Sequence, residues 1–148
     1  MKSLRDIETE VAALARDIGA YGQDLPTYGI SHDAGRPHVE VENALYHYVV
    51  VERGEERERH STESYDELLY WIFRDVTHHM AFSYEMMSRV EDQDGRRIAF
   101  PKQIELTKRI SATMATRLEA DIADILRRAP YDDEPTKAVN RLRRNGSN

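Results

Sequence analysis

The chain has no cysteine, only seven glycines and five prolines in 148 residues, and no long apolar run. Without cysteine there are no disulfides, thiolate zinc sites, iron–sulfur clusters or cysteine nucleophiles, a pattern that suits a reducing compartment. No stretch approaches the roughly 20 apolar residues that span a bilayer, and the opening MKSLRDIETEV lacks the apolar core of a signal peptide. The expected compartment is therefore the cytoplasm, with no membrane partner. The few glycines are scattered: neither GxGxxG nor GxxxxGK[ST] occurs, and GxSxG is missing as well. Phosphate loops and a hydrolase nucleophile elbow are excluded by these absences.

What is present is charge. Charged residues make up 32% and hydrophobic residues 40%, and the net charge is −6. From Tyr131 onward Lys137, Arg141, Arg143 and Arg144 outnumber Asp132, Asp133 and Glu134 by one, which leaves −7 on residues 1–130. An acidic body repels phosphate backbones and suits a basic partner, so nucleic acid is not an expected ligand. The length fits one domain, expected over residues 1–130, followed by a polar, disordered tail over 131–148.

Hydrophobic spacing predicts an α+β fold. Leu4, Ile7, Val11, Leu14, Ile18 and Tyr21 recur at three and four, one face of an N-terminal helix capped by Ser3. The glycine-containing stretch 19–35 reads as a loop in which LPTYGI offers a short edge strand. From Pro37 the period becomes two: His38–Glu42, Tyr46–Val51 and Glu56–His60 predict a three-stranded antiparallel meander. Ser64 and Glu67, at capping-box spacing, then open a helix of about 27 residues. A second long helix is expected from Pro101, read as a first-turn proline, to about Pro130. Two long helices with a short connection predict an antiparallel hairpin, with Ile72, Val76, Leu118 and Ile122 in its core.

Two constellations invite catalysis. Arg74 and His79 have the R-x4-H spacing of a family of helical ribonucleases, and His78, Asp75 and Glu85 stand nearby, so the alternative function is a small helical ribonuclease or metal-dependent hydrolase using Arg74, His78, His79 and Glu85. On a helix, however, positions five apart diverge by about 140°, and a metal needs three convergent ligands that no HExxH or paired ExxH motif supplies. No catalytic residue, metal or cofactor is therefore expected. The charged run from Glu85 and Arg89 through Glu91, Asp92, Asp94, Arg96 and Arg97 is the candidate partner-binding site, with acids to steer a basic partner and arginines to anchor it.

Tyr46-His-Tyr-Val-Val-Val-Glu-Arg-Gly54, Asp66-Glu-Leu-Leu-Tyr-Trp-Ile-Phe73, Tyr84-Glu85, Gln93-Asp94-Gly-Arg96-Arg97, Phe100 and Lys102-Gln103 together resemble the immunity protein 63 family of bacterial polymorphic toxin systems. The resemblance covers about Val39 to Asp133. It implies a cytosolic, non-enzymatic protein that binds and neutralises a cognate toxin domain. It carries over no catalytic residues.

Overall fold

The computed structural model describes residues 1–146. The chain packs as two compact units, Met1–Val76 and a second from Thr77 onward.

The first unit opens with α1 (Leu4–Ile18). Ser3 Oγ caps it by accepting from Asp6 N at 3.1 Å, and Gly19 ends it in a left-handed conformation at φ 78°. Ile7, Val11 and Ile18 of the expected stripe are buried and Ala15 joins them, whereas Tyr21 lies beyond the helix and is exposed. A single 3-10 turn (Gly22–Asp24) leads to β1 (Thr27–Tyr28), β2 (Pro37–Glu42), β3 (Leu45–Glu52) and β4 (Glu55–Thr62).

The sheet order is β1-β2-β3-β4. The last three strands are the expected antiparallel meander, and β1 lies within the LPTYGI segment expected to offer a short edge strand; it adds parallel to β2, so the sheet is four-stranded and mixed. With two residues, Thr27↔His38 and Tyr28↔Val39, β1 is too short for alternation to show which strand it joins.

Both hairpins are two-residue turns with every φ positive: Asn43 56° and Ala44 60°, then Arg53 54° and Gly54 73°. This is the type I′ geometry whose twist matches that of the strands. Strand β4 is exposed from Glu55 to Ser61, and its charges pair locally, Arg59 bridging Glu56 at 2.6 Å and Glu40 of β2 at 2.8 Å. Such an edge resists pairing with other chains.

Helix α2 (Tyr65–Met87) crosses the boundary between the units. Ser64 Oγ accepts from Glu67 N at 3.2 Å, as predicted, while Ser64 N donates to Thr62 Oγ1. Leu68, Ile72, Phe73 and Val76 of α2 are buried with Val39, Val49 and the α1 face. At the polar margin of this unit Tyr48 donates to Asp75 at 2.8 Å, and Tyr65 donates to Glu10, which also holds Lys2.

The second unit contains the end of α2, then α3 (Arg96–Ile110), α4 (Ala112–Arg128) and α5 (Glu134–Gly146). Where the sequence predicts one long helix from Pro101, there are two. Helix α3 starts five residues earlier and carries Pro101 in its interior, and Ser111 breaks the run at φ −161°, ψ 125°. Ser111 closes α3 with its N–H to Thr107 O and opens α4 with its hydroxyl to Met114 N. A serine whose side chain replaces a backbone partner makes such a break inexpensive, and no glycine or proline marks it.

Helices α3 and α4 pack against each other. Ala81, Phe100, Leu106, Leu118 and Ile122 are buried in this unit. Of the stretch expected to be a disordered tail, Glu134–Gly146 is helical, and residues 147–148 lie outside the described ones. Glu134 in its first turn and Arg143 and Arg144 in its last complement the helix dipole. No helix of the described residues is long and apolar enough to cross a membrane.

Candidate functional site

The seven residues picked out by the sequence, Glu85 to Arg97, run off the end of α2, through the 88–95 loop and into the first turn of α3. The loop reverses through Asp92, which adopts φ 62°, a left-handed conformation that aspartate tolerates better than most residues. The structure brings all seven into one region of the second unit, but it gives them three different jobs.

Asp94 is a hub. Its carboxylate accepts from Arg96 N and Asp132 N, both at 3.0 Å, and from the Arg96 guanidinium at 2.8 Å. Its own N–H donates to Asp133 Oδ1 at 2.8 Å. Arg96 continues to the carbonyls of Ala129 and Pro130, each at 2.8 Å, while Arg97 pairs with Asp133 at 3.0 Å. Both guanidinium groups lie over the Tyr131 ring, at 5.7 and 4.7 Å. The loop before α3 is thus stitched to the connection between α4 and α5.

This network sets the protonation of its acids. The Arg96 guanidinium, helped by the N–H groups of Asp132 and Arg96, holds the Asp94 carboxyl down to about 2 against its partial burial. Asp133 is also held below the usual carboxylate range, first by the Asp94 N–H and then by Arg97. A polar network in which every member is satisfied fixes a single geometry. Asp94, Arg96 and Arg97 are therefore a clasp within the protein.

Glu85 has a different role. It is 3% exposed, pairs with Arg89 at 3.1 and 3.2 Å, and lies against Gly95. Its partner Arg89 is more than half exposed.

Only Glu91 and Asp92 remain as outward acids. Arg144 of α5 reaches Glu91 at 3.1 Å and Asp92 at 3.9 Å, and Asn140 donates to Asp92 at 3.1 Å. Asp92, Glu134, Lys137, Arg141 and Arg144 line an open polar groove of about 250 Å³.

Sequence reasoning missed Tyr131, Asp132, Asp133, Asn140 and Arg144, which complete this region from the stretch read as a tail. Their partners are 34 to 53 residues away along the chain. The only signal was compositional, two adjacent acids at 132–133 that match two adjacent arginines at 96–97.

The residues of the alternative catalytic reading are dispersed along α2. Arg74 lies over the Tyr70 ring at 5.7 Å, and His78 stacks on Phe82 at 4.4 Å. His79 is exposed, Asp75 serves Tyr48, and Glu85 is buried against Gly95. Among the described residues no three His, Cys, Asp or Glu side chains are gathered as metal ligands.

A family model described as immunity protein 63 matches residues 42–124, more than half of the chain, and the chain belongs to that family. The match runs from the end of β2 through β3, β4, α2 and α3 into α4, and it includes all seven residues above. Helices α1 and α5 lie outside it. No curated protein and no solved structure shows significant similarity to the chain.

Proposed function

We propose that this member of the immunity protein 63 family is a cytoplasmic immunity protein that binds a cognate bacterial polymorphic toxin domain and neutralises it by stoichiometric protein–protein inhibition. Family membership is the observation that carries the reading. The acidic body supports it, because a net −7 over residues 1–130 favours encounter with a basic enzyme.

Protection requires that almost no toxin is free, and nanomolar affinity corresponds to about −12 kcal/mol. Such affinity rests on a few anchors held in a fixed frame, with charge around them. The region from Glu85 to Arg97 fits that description. Asp94, Arg96 and Arg97 fix the loop, Glu85 orients Arg89, and Arg89, Glu91 and Asp92 carry charge at the surface, the two acids shared with Arg144 and Asn140 of α5.

Co-expression with the toxin domain encoded beside the gene tests the proposal. Restored growth, and a one-to-one complex on co-purification, are the expected results. A toxin that kills equally well in the presence of the protein, and that forms no complex with it, would overturn the reading.

A further inference from the structure

Strands β3 and β4 bring a hydroxyl and a base together, away from the candidate site. His47 of β3 and Ser61 of β4 are cross-strand partners in the register, and their side chains meet at 2.6 Å, Ser61 Oγ to His47 Nδ1. The other ring nitrogen, His47 Nε2, lies 3.1 Å from the carbonyl oxygen of Glu42 at the end of β2.

That carbonyl decides which way the protons run. A carbonyl oxygen only accepts, so Nε2 of the neutral ring carries the hydrogen and Nδ1 keeps its lone pair. Nδ1 then accepts from the Ser61 hydroxyl. A hydroxyl, a base within reach of its proton and a third group that orients the base make up the arrangement that activates a serine nucleophile. All three stand on paired strands, so the geometry is set before any reagent arrives.

Burial is divided in the sense this chemistry needs. His47 is 8% exposed, whereas Ser61 is open to solvent. The imidazole is shielded from competing water while an electrophile can reach the hydroxyl. Strand β4 is also the outer strand of the sheet, and along its free edge alternate N–H groups have no strand among the described residues to pair with. Backbone N–H groups are the donors that stabilise the oxygen of a carbonyl under attack.

We propose that Ser61 is an acylation site that takes its acyl group from an activated ester or thioester. Ser61 Oγ attacks the carbonyl carbon while His47 Nδ1 takes the hydroxyl proton. The Oγ–C bond forms, the bond from that carbon to the leaving oxygen or sulfur breaks with its electron pair, and His47 returns the proton to the leaving group. The products are a serine ester on β4 and a free alcohol or thiol, with no oxidant or further reactant. The inference is independent of the toxin reading, because it concerns the first unit alone and needs no protein partner.

Incubation of the full chain with para-nitrophenyl acetate, followed by peptide mapping in a mass spectrometer, tests this. Acetyl should accumulate on Ser61 at least about tenfold faster than on Ser88, an exposed serine of the same chain, a part of the roughly 10²–10⁴-fold that a positioned base supplies in a closed active site. His47→Gln should bring Ser61 down to the Ser88 rate, and Ser61→Ala should remove the adduct from that peptide. Circular dichroism establishes that the His47→Gln chain is folded; where it is not, the ratio of Ser61 to Ser88 in the wild type decides alone. A ratio near one, or a fast Ser61 that is indifferent to His47→Gln in a folded chain, would overturn the proposal.

Discussion

The carboxylate of Glu85 fills the space that a side chain at Gly95 would need, since a Cβ there would lie 2.8 Å from Glu85 Cδ. Gly95 has an ordinary helical φ of −60°, so its lack of a side chain is required by packing and not by backbone conformation. The two residues close the start of α3 onto the end of α2.

The atoms met are the far end of the Glu85 side chain, so Gly95→Ala should destabilise by about 1 kcal/mol as that carboxylate shifts away from Arg89. Thermal or urea unfolding measures it. In a Glu85→Ala background the same substitution should cost much less, and that non-additivity separates a clash from a general loss of helix start.

Asp94 makes stability depend on pH in a defined window. Its folded pKa of about 2 is below the ordinary 3.8, so the stability it contributes is complete above the ordinary value and is lost as pH falls through the folded one. Asp94→Asn, which abandons a charged partner to Arg96, should cost about 1–3 kcal/mol at neutral pH. Between about pH 5 and pH 2 the variant should lose less further stability than the wild type. Unfolding midpoints at a series of pH values check both parts, and parallel curves would remove Asp94 from the acid response.

The turn at Asn43 and Ala44 asks an alanine to adopt φ 60°. Left-handed backbone costs a residue with a Cβ roughly 1–2 kcal/mol, and the preferred type I′ pair is Asn-Gly. After the entropy that glycine loses on folding, Ala44→Gly should stabilise by about 0.5–1 kcal/mol. A higher urea midpoint with an unchanged m value is the expected result.

Removal of residues 134–148 should leave the fold intact. Among the described residues of this segment none is buried, and the surface ion pairs that hold α5 are each worth about 1 kcal/mol or less. A midpoint within about 1 kcal/mol of the full chain at low concentration is expected. Aggregation or loss of cooperativity on truncation would show that α5 belongs to the folding unit.

The surface acids Glu91 and Asp92 give a kinetic prediction for the proposed toxin complex. Glu91→Lys with Asp92→Lys should slow association more than it speeds dissociation and should flatten the salt dependence of the on-rate. Asp94 is unsuitable for such a reversal because its carboxylate holds the loop. Association rates unaffected by both substitutions and by salt would place the interface elsewhere on the protein.

The sequence made legible whatever depends on neighbours along the chain. The α1 face, the Ser3 and Ser64 caps, the period-two strands and the buried positions Ile72, Val76, Leu118 and Ile122 all follow from spacing or from capping chemistry. What it hid depends on distance or on a single residue. The short strand in LPTYGI was visible but its parallel pairing with β2 was not, and Ser111 breaks a helix that hydrophobic periodicity carries straight through. The candidate site shows the same division. Its run of charges was visible, but which acids are used internally was not, because Asp94 and Arg97 find Asp133 nearly forty residues later. A charge run read without its distant partners looks more available than it is.

The two tight hairpins also bear on how quickly the protein can be made ready. Residues 37–62 contain all the antiparallel pairing of the sheet, and each strand pairs with its immediate successor through a two-residue link. Loop closure is the slow, entropically costly step in forming a sheet, and here the loops are as short as they can be. The meander can zip up before the helical second half has left the ribosome. Under the proposed role in toxin neutralisation, a sheet that forms early leaves only the helical half to fold before the protein can bind.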